Sequence, residues 1–240
     1  MATIPSHSHS LAFDLPRSAQ SLPRLEPGDF LSRAEFERRW EQTPSIKRAE
    51  LIDGVVYMNA AVSVDHSRPH ARIARWVMGY EEQALGTLCY LEPSVRLDDQ
   101  NMPCPDVALC LEPRCGGQSR TSDDRYLVGP PELIVEVANS SVSYDMHQKL
   151  DVYRRHGVRE YIVWRVYDQA IDWFCLVDGQ YTPLAPDGDG ILRSPNFAGL
   201  WLDPAALLRG DQARVLAVLG EGLASADHLT QVATWTGAKS

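Results

Sequence analysis

The chain has 240 residues, 44% of them hydrophobic and 23% charged, with a net charge of −9 and a pI of about 5.2. That composition fits one globular domain with embellishments, or two small ones. The acidity argues against a tight, non-specific nucleic-acid binder, while leaving room for one whose local basic patch or bound cations override the global sign. No run of eighteen apolar residues occurs, so no membrane span is expected. The N-terminus lacks a basic segment followed by an apolar one and does not read as a secretory signal. Five cysteines (Cys89, Cys104, Cys110, Cys115 and Cys175) include no C-x-x-C pair, and read as thiols of a reducing cytoplasm.

In chain order, the Ser-, Pro- and His-rich residues 1–28 read as a flexible arm. "DFLSRAEFERRW" predicts a short helix capped near Ser32. Asp53-Gly54 marks a hairpin turn between two strands. "RPHARIARWVMGYEEQALG" carries Ile73, Trp76, Val77, Tyr80 and Leu85 at near-helical spacing, with Gly86 as the stop. "TLCYLEPSVRLD" and "PDVALCLEP" read as strands, followed by a polar, Gly- and Pro-rich loop, "RCGGQSRTSDDRYLVGPP". Then come the strand in "PELIVEVANSS", a helix from about Tyr144 to His156, the strand "REYIVWRVY", and two short strands joined at Asp178-Gly179. The stretch "DPAALLRGDQARVLAVLGEGLA" from Asp203 reads as one or two amphipathic helices; residues 209–240 form a helical tail, the last dozen residues frayed. This order predicts an α/β fold with a mixed sheet flanked by helices.

Glu136 is the anomaly, because it interrupts the apolar run Leu133, Ile134, Val135, Val137. An unpaired carboxylate there would cost several kcal/mol. Asp106 opens the strand some thirty residues earlier. If the two strands pair, both carboxylates reach one spot, and two close carboxylates need a counter-charge. A hard divalent cation, Mg²⁺ or Mn²⁺, supplies it. The following helix sets Asp145, Lys149 and Tyr153 on one stripe, beside a packing stripe of Met146, Leu150 and Tyr153. A lysine near a metal-bound water assists the nucleophile or stabilises charge on a phosphoryl oxygen. Each residue alone has a plainer reading: Asp106 as a strand-start cap, Glu136 as a partner of Arg159, Asp145 as a helix N-terminal acid, His66 and His70 as surface or capping residues. Arg154, Arg155 and Arg159 form the best local basic patch and are candidate phosphate contacts. Tyr161, Trp164, Trp173 and Phe174 read as core or dimer surface.

Taken in order, "ELIDG", a His after the hairpin, "PDV", "PELIVEVANSS", D-x-x-x-K-x-x-x-Y, "GVREY" and "SPNFAGLWLD" resemble the Uma (Uma two) family of restriction endonuclease-type proteins, within the PD-(D/E)-x-K nuclease-like fold. The resemblance spans roughly residues 29–208, which reads as the nuclease-like domain. It implies a restriction-endonuclease-like core and Mg-dependent hydrolysis of phosphodiesters, with DNA the favoured substrate and RNA sharing the same site. It implies Asp106 and Glu136 as metal ligands, Lys149 as the catalytic lysine, and Glu50 as an early acid completing the shell or positioning water. Asp145, His66 and Tyr153 match recurring positions with supporting roles. In the parent pattern the lysine stands two residues after the acid. Here that position is Ala138, and the lysine resembles one moved onto the next helix. The alternative is a catalytically weak or inactive nuclease-fold module that binds nucleic acid or protein. Analogy with nucleases that cut both strands points to a homodimer.

Overall fold

The computed structural model describes residues 23–58 and 63–237. Helix α1 (Arg33–Glu41) starts at Ser32, whose hydroxyl accepts the Glu35 N–H. Strands β1 (Ala49–Ile52) and β2 (Val55–Met58) form an antiparallel hairpin. Its turn puts Asp53 at φ 49° and Gly54 at φ 77°, the left-handed pair that an Asp-Gly turn supplies. Helix α2 (Val64–Glu81) leads to β3 (Thr87–Leu91), β4 (Val95–Arg96) and β5 (Val107–Leu111). Short strands β6 (Arg120–Thr121) and β7 (Leu127–Val128) precede β8 (Leu133–Ala138). A widened, π-helical turn over Tyr144–Lys149 runs straight into α3 (Leu150–His156). Strands β9 (Glu160–Arg165), β10 (Ala170–Val177) and β11 (Gln180–Pro183) follow, then β12 (Leu192–Arg193) and β13 (Trp201–Leu202). Helices α4 (Pro204–Arg209), α5 (Gln212–Leu223) and α6 (Ala226–Thr236) close the described chain.

The main sheet has six strands in the order β11-β10-β9-β8-β5-β3. It is mixed: β8 and β9 run parallel, and every other neighbour is antiparallel. The parallel pair requires a crossover, which the π-turn and α3 provide. Side chains alternate across β8. Leu133, Val135 and Val137 join the larger core with Ile73, Trp76, Val77 and Tyr80 of α2. Ile134 and Ala138 face the other way, into a core with Tyr153, Tyr161 and Val163. Both faces of β8 are therefore covered, which is why its sequence is nearly continuous in apolar residues. The β1–β2 hairpin has its own small core of Leu25, Phe36, Ala49, Leu51, Val56 and Met102. Reciprocal backbone hydrogen bonds between Leu51 and Met102 (3.1 and 2.7 Å) tie it to the segment entering β5.

Several expected boundaries shift. Helix α2 begins at Val64 and ends at Glu81, a turn before Gly86, which instead opens β3 at φ 100°. The strand expected over 87–98 divides between two sheets, because Glu92 takes a positive φ of 52° and breaks the extended run. The polar loop before β8 contains β6 and β7; β7 pairs with β4, and β6 pairs with β7. The C-terminal tail holds more helix than expected, and α6 continues to Thr236, into the stretch expected to fray. Serine and aspartate caps start α5 and α6, and Val215 and Leu219 enter the main core. The expected arm, 1–28, lies mostly outside the described residues; near its described end Leu25 is buried. All five cysteines are free thiols. No described helix is long and apolar enough to cross a membrane.

Glu160 shows how the sheet bears a buried charge. Its carboxylate accepts from Trp173 Nε1 (2.7 Å), Ser194 Oγ (2.5 Å), and Asn196 N and Nδ2 (3.1 and 2.9 Å). It thereby links β9 and β10 to the loop after β12. Glu160→Ala strands those donors in the interior and should cost about 3–5 kcal/mol. Glu160→Gln, which keeps one acceptor, should cost less. Urea unfolding of the three proteins measures both differences.

Candidate active site

The sheet register brings the two strand acids together. Strands β5 and β8 pair Val107 with Val135 and Leu109 with Leu133. One step further along the same register sets Asp106 across from Glu136, and opposed residues of an antiparallel pair share a face. The Asp106 carboxylate also completes the ladder: Oδ2 accepts the Val137 N–H at 2.7 Å, a charge-assisted bond. Glu136 lies on the β8 face that meets the crossover, between Ile134 and Ala138.

The crossover delivers the cation. The π-turn carries both Asp145 and Lys149 inward, 3% and 4% exposed. Lys149 Nζ donates to Glu136 Oε1 at 2.9 Å and to Glu50 Oε1 at 3.1 Å, and lies 3.8 Å from Asp145 Oδ1. One α-helical turn onward, Tyr153 OH donates to the same Glu136 Oε1 at 2.9 Å. Glu136 Oε2 has no hydrogen-bond donor among the described residues. Glu50, on β1, is fixed by the Cys104 N–H at 3.0 Å, while Tyr144 OH approaches its other oxygen at 3.4 Å. Ser141 Oγ holds Asp145 Oδ2 at 2.5 Å. Glu50, Asp106, Glu136, Asp145, Lys149, Tyr153 and His66, scattered over about a hundred residues of sequence, thus form one cluster.

The electrostatics of the cluster are lopsided. Burial pushes the Glu136 carboxyl well above its ordinary range, and Asp145, Asp106 and Glu50 push it the same way against the pull of Lys149. Burial works against the Lys149 ammonium, but Glu136 and then Glu50 outweigh it and keep the lysine protonated well beyond its usual range. Burial likewise raises Asp145. Asp106 goes the other way: despite burial, the His66 imidazole beside it holds it below the usual carboxylate value. One ammonium among three carboxyls leaves a deficit of positive charge, and the donors facing that deficit are oxygens. Such a set fits a hard divalent cation.

The cluster floors an open cleft of about 820 Å³. Arg48, Tyr57, His66, Tyr144 and the Asn139–Ser143 loop line its walls. His66 Nε2 is 3.2 Å from Asp106 Oδ1. His70 Nε2 is 3.1 Å from the Asp106 carbonyl oxygen. Arg48, which sequence reasoning missed, lies 3.9 Å from Asp106 and is braced by Glu92 at 2.8 Å. The available signal was its place two residues before Glu50, on the same side of an extended chain. The expected basic patch is elsewhere. Arg154 and Arg155 are paired with Asp151 (2.7 and 2.8 Å), Arg155 also with Asp53 (2.7 Å), and neither they nor Arg159 lines the cleft.

Comparison with known proteins bears on the fold and the family. A solved structure described as a putative nuclease belonging to DUF820, from Anabaena variabilis ATCC 29413, is similar in fold, with a TM-score of 0.54 at 14% identity. The match covers 67% of this chain and 89% of that one. No curated protein matches the chain. The family model Uma2, described as "Putative restriction endonuclease", matches residues 33–205, from the start of α1 to the start of α4. The chain belongs to the Uma2 family.

Proposed function

We propose that the chain is a metal-dependent nuclease that hydrolyses phosphodiester bonds, with DNA as its substrate, Mg²⁺ or Mn²⁺ as its cofactor, and the cytoplasm as its location. The observation that carries this reading is the reach of Lys149. Its Nζ lies 2.9 Å from Glu136 although it comes from the crossover helix. Ala138, where a strand lysine would stand, is fully buried against the other core. The ammonium is thus supplied from a different element to the same acid.

Asp106 and Glu136 would hold the cation, with Glu50 in support; bound there, it supplies Lewis-acid polarisation of a phosphoryl oxygen and of the attacking water. The protein's own groups have separable tasks. The Val137 N–H fixes the rotamer of Asp106. Tyr153 and Lys149 both engage Oε1 of Glu136 and so orient that carboxylate. Because Lys149 stays protonated, it serves as a hydrogen-bond donor to negative charge developing on the phosphoryl group rather than as the base. Arg48, at the cleft wall, is positioned to receive a non-bridging phosphate oxygen. Cutting both strands would call for two such clefts, hence a homodimer.

Calorimetric titration with Mn²⁺ and plasmid nicking, run on the same samples, test the reading. Wild type should bind and nick, and Asp106→Ala and Glu136→Ala should lose both. A wild type that binds no metal at millimolar concentration would leave a nuclease fold used for binding alone. Lys149→Met removes the charge and keeps much of the stem. It should cut nicking by about 10²–10³-fold, of the order seen for loss of one preorganised donor, and still bind Mn²⁺. Sedimentation velocity should give twice the chain mass.

A further inference from the structure

The cleft carries a second donor set on the far side of Asp106, and it is chemically unlike the first. His66 and His70 lie one turn apart on α2, and residues four apart share a helix face. Their ring nitrogens and an Asp106 carboxylate oxygen all lie within 4.8 Å of one another. One spacing within this group carries the argument: His66 Nε2 sits 3.2 Å from Asp106 Oδ1. A hydrogen bond between His70 Nε2 and the Asp106 carbonyl oxygen, at 3.1 Å, holds the second imidazole beside the same residue. Two ligands of one ion, each about 2.0–2.2 Å from it, stand roughly 3 Å apart when adjacent. The same spacing also suits a hydrogen bond, so the group is held in a geometry that either state can use. The histidine side chains are 19% and 15% exposed, and His66 and Asp106 reach the cleft, which leaves an entry path.

We propose that His66, His70 and Asp106 form a nitrogen-containing metal site selecting a borderline divalent ion of the Zn²⁺ or Co²⁺ type. Imidazole nitrogens favour such ions, whereas the all-oxygen set around Glu136 favours Mg²⁺. The Asp106 Oδ2 accepts the Val137 N–H, and Oδ1 is the oxygen that faces His66. Glu92 stands behind the site, its Oε1 3.9 Å from His70 Nδ1, and Arg48 braces Glu92. The binding stands on these side chains alone; only its use in catalysis rests on the nuclease reading.

The test is a Co²⁺ titration of the metal-stripped full chain, followed by visible absorption. It is run on wild type, His66→Gln, His70→Gln and Glu136→Gln, with thermal melts to verify folding. Wild type and Glu136→Gln should bind Co²⁺ with similar affinity. Each histidine variant should lose about tenfold or more, the range in which changes around a metal ligand already act. Proton NMR of Co²⁺-loaded wild type needs no variant and should show strongly shifted, exchangeable imidazole N–H signals. The inference fails if those signals are absent. It also fails if Glu136→Gln abolishes Co²⁺ binding while the histidine variants bind as wild type does. Nicking with Mg²⁺ then judges the nuclease reading separately, since that reading requires Glu136 whatever Co²⁺ does.

Discussion

A single ammonium organises this molecule's unusual interior. Lys149 Nζ is 4% exposed as a residue and lies within 4 Å of Glu50, Glu136 and Asp145, which come from the hairpin, the central sheet and the crossover turn. Removing one partner of a buried ion pair typically costs about 3–5 kcal/mol, because the other charge is left uncompensated. Here one cation is shared among three such groups. The hairpin, which packs through its own apolar core, is therefore also joined through one charge to the sheet and the crossover, which share another. The tyrosines serve the same cluster: Tyr153 shares Glu136 with the lysine, and the Tyr144 ring lies 5.3 Å from Nζ.

Much of this was legible in the sequence. Apolar runs and near-helical spacing located most of the major elements, since strands β8 and β9 and helix α2 are strongly patterned. Both Asp-Gly turns, at residues 53–54 and 178–179, adopt the positive φ pair that their chemistry demands. An acid embedded in Leu133–Val137 signalled a partnered carboxylate, and the stripe through Asp145, Lys149 and Tyr153 named the elements that would meet it. What the sequence concealed follows from physical causes. Local periodicity cannot reveal a π-turn, which changes the phase of side chains without changing their composition. It also cannot reveal that Arg154 and Arg155 spend their charge on Asp151 and Asp53, one of them a hundred residues away in sequence. Histidines four apart at the start of a helix are usually solvated, so nothing local distinguished His70 until β5 placed the Asp106 carbonyl beside it.

The net charge of −9 also looks different against the structure. Several acids that produce it are not surface charges. Glu50, Asp106, Glu132, Glu136, Asp145 and Glu160 are all buried. Glu132 accepts the N–H groups of Leu111 and Gln118 at 2.8 and 2.7 Å, a structural task like that of Glu160. These acids are held by interior donors rather than displayed on the surface, and the cleft wall carries the cation Arg48.

The placement of Lys149 also affects the order in which the site becomes complete. A lysine on β8 itself would be set as soon as that strand paired with β5. A lysine on the crossover arrives only when the π-turn and α3 have docked against the sheet and β9 has closed beside β8. Glu50, Asp106 and Glu136 stand on the hairpin and the sheet, whereas Asp145 and Lys149 join them together with the crossover. Opening of the crossover alone would take the ammonium away from Glu50 and Glu136, which ties the completeness of the cluster to the integrity of that one segment.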